Sequence, residues 1–148
     1  MKNNHKLTGK NILITAGAQG IGESITKHFI DSGANVAIHY FSSAETAKQL
    51  TEYALGKGLK AVAIGGDLTQ GSLVSRKMLS EMEAGFWHKV MDINLTSMMF
   101  VTKAASPFLA KNHNSSIVNL ASLAGRKGGH PGSLAYSTSK GAILTFTR

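Results

Sequence analysis

Hydrophobic residues along this chain come in short blocks, and the spacing inside the blocks alternates between two kinds. Residues 11–15, Asn-Ile-Leu-Ile-Thr, are a short β-branched apolar run that ends in a glycine-rich turn, the pattern of a buried strand. From 19 to 32, Ile21, Ile25, Phe29 and Ile30 share one helical face and Gly33 closes the segment, so a helix is predicted there. A second strand is predicted over 36–39. Ser42-Ser-Ala-Glu45 has the form of a capping box and predicts a helix from there to about Leu55. Residues 60–65 predict a third strand. From 83 to about 110, Phe86, Val90, Ile93, Val101, Ala104 and Phe108 recur at helical steps. Residues 116–120 predict another strand, 125–132 a glycine-rich loop, and 135–148 a helix. Strands alternating with helices predict an α/β fold, a doubly wound parallel sheet with helices on both faces. In Gly65-Gly-Asp-Leu-Thr-Gln-Gly-Ser72 that alternation skips a beat.

Composition narrows the class. With 148 residues and 43% apolar content, the chain is one soluble domain's worth of sequence. No apolar run approaches the ~18 residues of a membrane span, and the basic start Met1-Lys-Asn-Asn-His-Lys6 leads into no signal-peptide core. A cytoplasmic location is therefore expected. The absence of cysteine excludes disulfides, thiol nucleophiles and thiolate metal sites, and no metal site is expected. The net charge of +8 is scattered, with adjacent basic pairs only at Arg76-Lys77 and Arg126-Lys127. Without a basic stripe interleaved with aromatics, nucleic acid is not an expected partner.

Thr15-Ala-Gly-Ala-Gln-Gly-Ile-Gly22 lies between the first strand and the first helix, where a phosphate-binding turn works. N–H groups at a helix N-terminus attract a pyrophosphate, and glycines let the backbone approach it. Gly17, Gln19, Gly20, Ile21 and Gly22 are the candidate cofactor residues of this turn. The end of the second strand decides which ribose is bound. Here it reads His39-Tyr-Phe-Ser-Ser43, with no carboxylate to repel a 2′-phosphate, so Tyr40, Phe41 and Ser42 join the candidates and NADP is preferred over NAD. Asp67, just past the third strand, is placed to contact the adenine or to cap the turn at Thr69.

Tyr136-Ser-Thr-Ser-Lys140 places a phenol and an ammonium four residues apart on one helical face. A free phenol exchanges its proton poorly at neutral pH, and a neighbouring ammonium stabilises the phenolate. Such a pair suits a general acid/base for a carbonyl oxygen receiving hydride. Ser122 follows the predicted strand at 116–120, and Asn94 falls inside the preceding helix; alone, each reads equally as a turn serine and a solvated asparagine.

Together these pieces resemble the short-chain dehydrogenase/reductase family. The turn at 15–22 matches its cofactor turn, Asp67-Leu68 its adenine-contacting pair, and Ile93-Asn-Leu95 the segment of its active-site asparagine. Ile117-Val-Asn-Leu-Ala-Ser122 matches its serine strand, and Tyr136-Ser-Thr-Ser-Lys140 its signature helix. The resemblance runs from about Leu7 to Arg148, and the nearest branch is that of the 3-oxoacyl-(acyl-carrier-protein) reductases. It implies a Rossmann-type dinucleotide-binding domain over 1–148 and NAD(P)-dependent interconversion of a ketone and a secondary alcohol. Tyr136 is then the acid/base. Lys140 lowers the pKa of the phenol and binds the nicotinamide ribose, Ser122 hydrogen-bonds the substrate oxygen, and Asn94 holds a water in a proton relay. The implied partners are a small carbonyl or alcohol substrate and further copies of the chain, as a homotetramer or homodimer of the complete protein.

The chain departs from the family's pattern at several points. Ala16 replaces the first glycine of the turn, which is tolerable where φ is negative. The interval from Ser122 to Tyr136 is one residue longer than the commonest spacing. Between Asp67 and Asn94 the family carries a helix and a fourth strand that are missing here, so an internal gap near residues 70–71 is expected. The family also continues past Arg148, so a C-terminal truncation is expected. These departures motivate the alternative, a nucleotide-binding module without catalysis or an inactive truncated fragment.

Overall fold

The computed structural model describes residues 7–67, 76–111 and 115–147. Leu68, Gly71 and the expected junction at 70–71 lie outside the described residues. The chain divides into two compact units, the first ending at Asp67 and the second beginning at Leu68, and each is described by itself.

The first unit alternates strand and helix: β1 (Asn11–Ile14), α1 (Gly20–Asp31), β2 (Asn35–Tyr40), α2 (Ala44–Gly56) and β3 (Ala61–Gly65). The strands are parallel in the order β1-β2-β3, with Ile14 opposite Ile38 and Ile38 opposite Ala63. Strand side chains alternate between faces, so Ile12, Ile14, Val36 and Ile38 point to one side. Both helices cover that side, and Ile14, Ile30, Val36, Ile38 and Leu50 form its core. Residues of the opposite face stay open: Leu13 is 49% exposed, Val62 51% and Ile64 45%. On the outer surface Asp31 of α1 accepts hydrogen bonds from Tyr53 and Lys57 at the end of α2. These donors, the Lys57 ammonium first, hold the Asp31 carboxyl below the usual carboxylate range.

The predicted capping box of α2 does not form. Ser43 occupies the N-cap without a side-chain cap bond, because its hydroxyl donates instead to Gln19 Oε1 at 3.2 Å.

The second unit is helical: a short 3₁₀ turn (Leu79–Glu81), α3 (Ala84–Met91), a π-helical turn (Asp92–Thr96), α4 (Ser97–Leu109), α5 (Ala124–Lys127) and α6 (Leu134–Phe146). The helix expected over 83–110 is thus continuous in path but widened at 92–96. The predicted apolar face holds only in part, since Val90 is buried while no residue of α4 is and Phe108 is 73% exposed. Residues 115–122 form no strand, contrary to expectation. A strand exists only with a ladder partner, and among the described residues of this unit there is none; Val118 is left 84% exposed. The glycine-rich stretch opens as α5, which lies directly on α6: a Cβ at Gly125 would stand 2.6 Å from the backbone of Lys140 and Gly141.

Candidate active site

The turn from β1 into α1 is built on close backbone approach. A Cβ on Gly22 would lie 2.0 Å from the Ala16 carbonyl oxygen, and one on Gly17 would lie 3.0 Å from Ile14 O and Thr26 Oγ1. Only glycine lets the helix start press this tightly on the strand end. Thr26, fully buried, places its hydroxyl 2.8 Å from Gly17 O and 2.9 Å from Gly22 O, pinning both ends of the turn. Gln19 is the N-cap, in extended conformation. The first backbone bond of α1 runs from Glu23 N–H to Gln19 O at 3.1 Å, so the N–H groups of Gly20, Ile21 and Gly22 precede any intrahelical acceptor. Gly20 has φ +51° and no protein atom within 4 Å of where its Cβ would be. Open space at Gly20, at a helix N-terminus with three N–H groups ahead of the first intrahelical bond, fits a pyrophosphate.

Ala16 overturns an expectation. Its φ is +51°, in the left-handed region, where an L-residue other than glycine is strained by ~1–2 kcal/mol. Its N–H is held by His39 Nδ1 at 3.3 Å, and the next N–H, that of Gly17, by the His39 carbonyl at 2.9 Å.

At the end of β2, Tyr40 is half-buried, its hydroxyl 2.9 Å from the position a Gly65 Cβ would take. Phe41 and Ser42 are exposed, and Ser43 joins this segment to the turn through Gln19. Asp67, also exposed, follows β3 by two residues. The structure therefore brings Gln19 together with the end of β2, and His39 with the exit of β3.

In the second unit, α6 carries Tyr136 and Lys140 one turn apart, with Lys140 Nζ 5.9 Å from the centroid of the Tyr136 ring. Tyr136 is 39% exposed and so open to a reactant. The Lys140 ammonium donates to Leu120 O at 2.7 Å, which ties α6 to the segment before Ser122. Ser122 accepts from Ala124 N–H at 3.2 Å and so starts α5, the helix packed against Lys140. Asn94 sits in the π-helical turn, a distortion that recurs at functional sites. Its Nδ2 donates to the buried Ser139 Oγ at 2.9 Å, and Ser139 donates in turn to Tyr136 O at 2.7 Å. Asn94 and Ser122 are thus anchored to, or packed beside, the helix that bears Tyr136 and Lys140.

Sequence reasoning missed Thr26, His39 and Ser139. Thr26 had a signal: it stands four residues after Gly22 and four before Ile30, a polar residue on the buried side of α1. His39 had a similar one, an imidazole inside the apolar strand 36–39. Among the described residues no group of three or more His, Asp or Glu could hold a metal ion, and no helix is long and apolar enough to cross a membrane.

The parallel sheet with its strand–helix alternation defines an α/β protein of Rossmann type. The chain belongs to the short chain dehydrogenase family, whose sequence model matches residues 10–80 and 71–148. An uncharacterized oxidoreductase of Bacillus subtilis, YhxC, is 33% identical over 168 aligned positions that cover 97% of this chain and 58% of YhxC. The alternative dihydrofolate reductase 1 FolM of Brucella canis, solved with NADP, superposes with a TM-score of 0.87 at 19% identity, over 97% of this chain and 66% of that one. A 3-oxoacyl-[acyl-carrier protein] reductase of Brucella melitensis with bound NAD gives a TM-score of 0.84 at 24% identity, over 98% and 65%. At such identities these two structures carry the fold. The chain spans 58% of the length of YhxC and about two thirds of each of the two structures.

Proposed function

We propose that this chain is the cofactor-binding and proton-transferring part of an NADP- or NAD-dependent oxidoreductase that interconverts a ketone and a secondary alcohol. The observation that carries the reading is the Tyr136–Lys140 pair, an accessible phenol with an ammonium 5.9 Å from its ring centroid, in a chain that also bears a phosphate-fitting turn. When bound, the nicotinamide supplies or accepts the hydride. Gly20, Ile21 and Gly22 hold the pyrophosphate through their N–H groups, and Gln19, Tyr40, Phe41 and Ser42 face the adenosine ribose. Without a carboxylate at the end of β2, a 2′-phosphate meets no repulsion, which favours NADP. Asp67 and Leu68 contact the adenine. Tyr136 gives its proton to the carbonyl oxygen as the alcohol forms and takes it back in the reverse direction. Ser122 steadies that oxygen, Lys140 holds the nicotinamide ribose and stabilises the phenolate, and Asn94 keeps a water for resupply of the proton. The same reading carries a cytoplasmic location and a homo-oligomer of the complete protein.

The junction near 70–71 is part of this proposal, read as the site of an absent helix–strand segment. Since 97% of 148 residues is about 144, an alignment of 168 positions leaves about 24 positions of YhxC with no counterpart here. The family model's two matches overlap at 71–80, as two pieces joined across a gap would. Among the described residues β1 pairs only with β2, which leaves its other edge without a ladder.

NADPH consumption with a panel of small ketones tests the catalytic reading. Tyr136→Phe is expected to lower turnover by about 10²–10⁴-fold while NADPH still binds. Unchanged turnover in that variant would remove Tyr136 from the chemistry. Binding of NADPH without turnover by the parent chain would favour a non-catalytic nucleotide-binding module instead, the reading that the unpaired edge of β1 supports.

A further inference from the structure

Resting on the dinucleotide reading of the turn, we propose that His39 is its positioning residue, acting as a neutral imidazole that carries its proton on Nε2. His39 is 9% exposed, and its ring lies between two backbone groups of opposite polarity. Ala16 N–H, 3.3 Å from Nδ1, can only donate, so Nδ1 must be unprotonated. Gly66 O, 2.8 Å from Nε2, can only accept, so Nε2 must carry the proton. One tautomer satisfies both contacts. The other sets a donor against a donor at Ala16 and a lone pair against a lone pair at Gly66. The imidazolium satisfies Gly66 but turns a donor on Ala16 N–H.

Through this tautomer one side chain joins the β1–α1 turn to the exit of β3, where Asp67 begins. The backbone of the same residue reinforces the link, since its carbonyl takes the Gly17 N–H at 2.9 Å. Two successive N–H groups of the turn, those of Ala16 and Gly17, are therefore committed to His39. The residue held by the ring is Ala16, whose φ of +51° an alanine does not adopt unaided. Ala16 in turn fixes the carbonyl against which Gly22 packs. His39 thus stabilises a turn that a glycine at position 16 would adopt without help, and residues 16 and 39 act as a coupled pair. His39 bonds Ala16, Gly17 and Gly66, so its action is through the turn.

The test begins with the unmodified chain. Nitrogen-15 NMR of the imidazole at neutral pH is expected to show an unprotonated Nδ1 and a protonated Nε2, and the Ala16 amide is expected to exchange slowly with solvent. The opposite tautomer, or a rapidly exchanging Ala16 amide, would overturn the proposal with no variant needed. Among folded variants, checked by circular dichroism, His39→Leu is expected to weaken NADPH binding by about tenfold, since it strands the Ala16 and Gly66 groups. His39→Asn, whose Oδ1 falls near the place of Nδ1, is expected to recover binding to within about threefold. In an Ala16→Gly background the effect of His39→Leu is expected to shrink, because glycine reaches the left-handed conformation without the tie. Equal NADPH affinity in the parent chain and His39→Leu would overturn the positioning role. If the parent chain has the expected tautomer and a protected Ala16 amide yet binds no NADPH, the dinucleotide reading fails. In that case loss of Ala16 protection in His39→Leu upholds the tie, and its persistence refutes it.

Discussion

At the residue scale, the turn between β1 and α1 shows a side chain and a backbone conformation that disagree. Ala16 at φ +51° is strained relative to glycine, and the surrounding contacts hold it there: two N–H groups on His39, and Gly22 pressed against its carbonyl. Replacing Ala16 with glycine removes the strain but adds freedom to the unfolded chain, and the two effects partly cancel. Ala16→Gly is expected to raise the unfolding free energy by about 0.5–1 kcal/mol, read as a higher urea midpoint at unchanged slope. A lower midpoint would mean that position 16 does not need the left-handed region. The glycines of this turn were legible in the sequence because their spacing is itself the functional pattern. The strain at Ala16 was not, because φ at one residue depends on what its N–H and carbonyl meet, here a histidine 23 residues later.

At the scale of elements, both faces of the sheet carry branched apolar side chains, and their burial differs widely. Ile38 is fully buried under α1 and α2, while Val62 on the other face is 51% exposed. Truncation should therefore cost unequal amounts. Ile38→Ala is expected to lose about 2–5 kcal/mol of unfolding free energy, and Val62→Thr to stay within about 0.5 kcal/mol. Comparable losses at both positions, measured by chemical denaturation, would show that the second face is covered in solution. The first three strands and α1, α2 and α6 were readable from periodicity and end signals, each within a residue or two. Residues 116–120 have the same β-branched pattern and form no strand, because pairing is a relation between segments that no single segment encodes. The π-helical turn around Asn94 escaped for a related reason: one widened turn barely disturbs a helical repeat that continues on both sides.

At the scale of the whole chain, the positions where local pattern and structure part company form a coherent set. Among the described residues, β1 has a ladder on one edge, Leu13 and Val62 are about half exposed, 115–122 form no strand and no residue of α4 is buried. In the proposal, a helix–strand segment absent between Asp67 and Gly71 accounts for this set. The candidate chemistry nevertheless survives in both units, as the phosphate-fitting turn in one and the Tyr136–Lys140 helix in the other. In the proposed function these two parts serve hydride transfer between a nicotinamide and a carbonyl carbon. The most direct test is to incubate the chain with a ketone and NADPH deuterated at C4 of the nicotinamide, using each C4 epimer in turn, and to locate the label in the alcohol. Deuterium is expected on the carbinol carbon from one of the two epimers, with labelled alcohol forming about 10²–10⁴-fold more slowly in Tyr136→Phe. Alcohol formed without label from either epimer, or no alcohol from a chain shown to bind both NADPH and the ketone, would contradict that function.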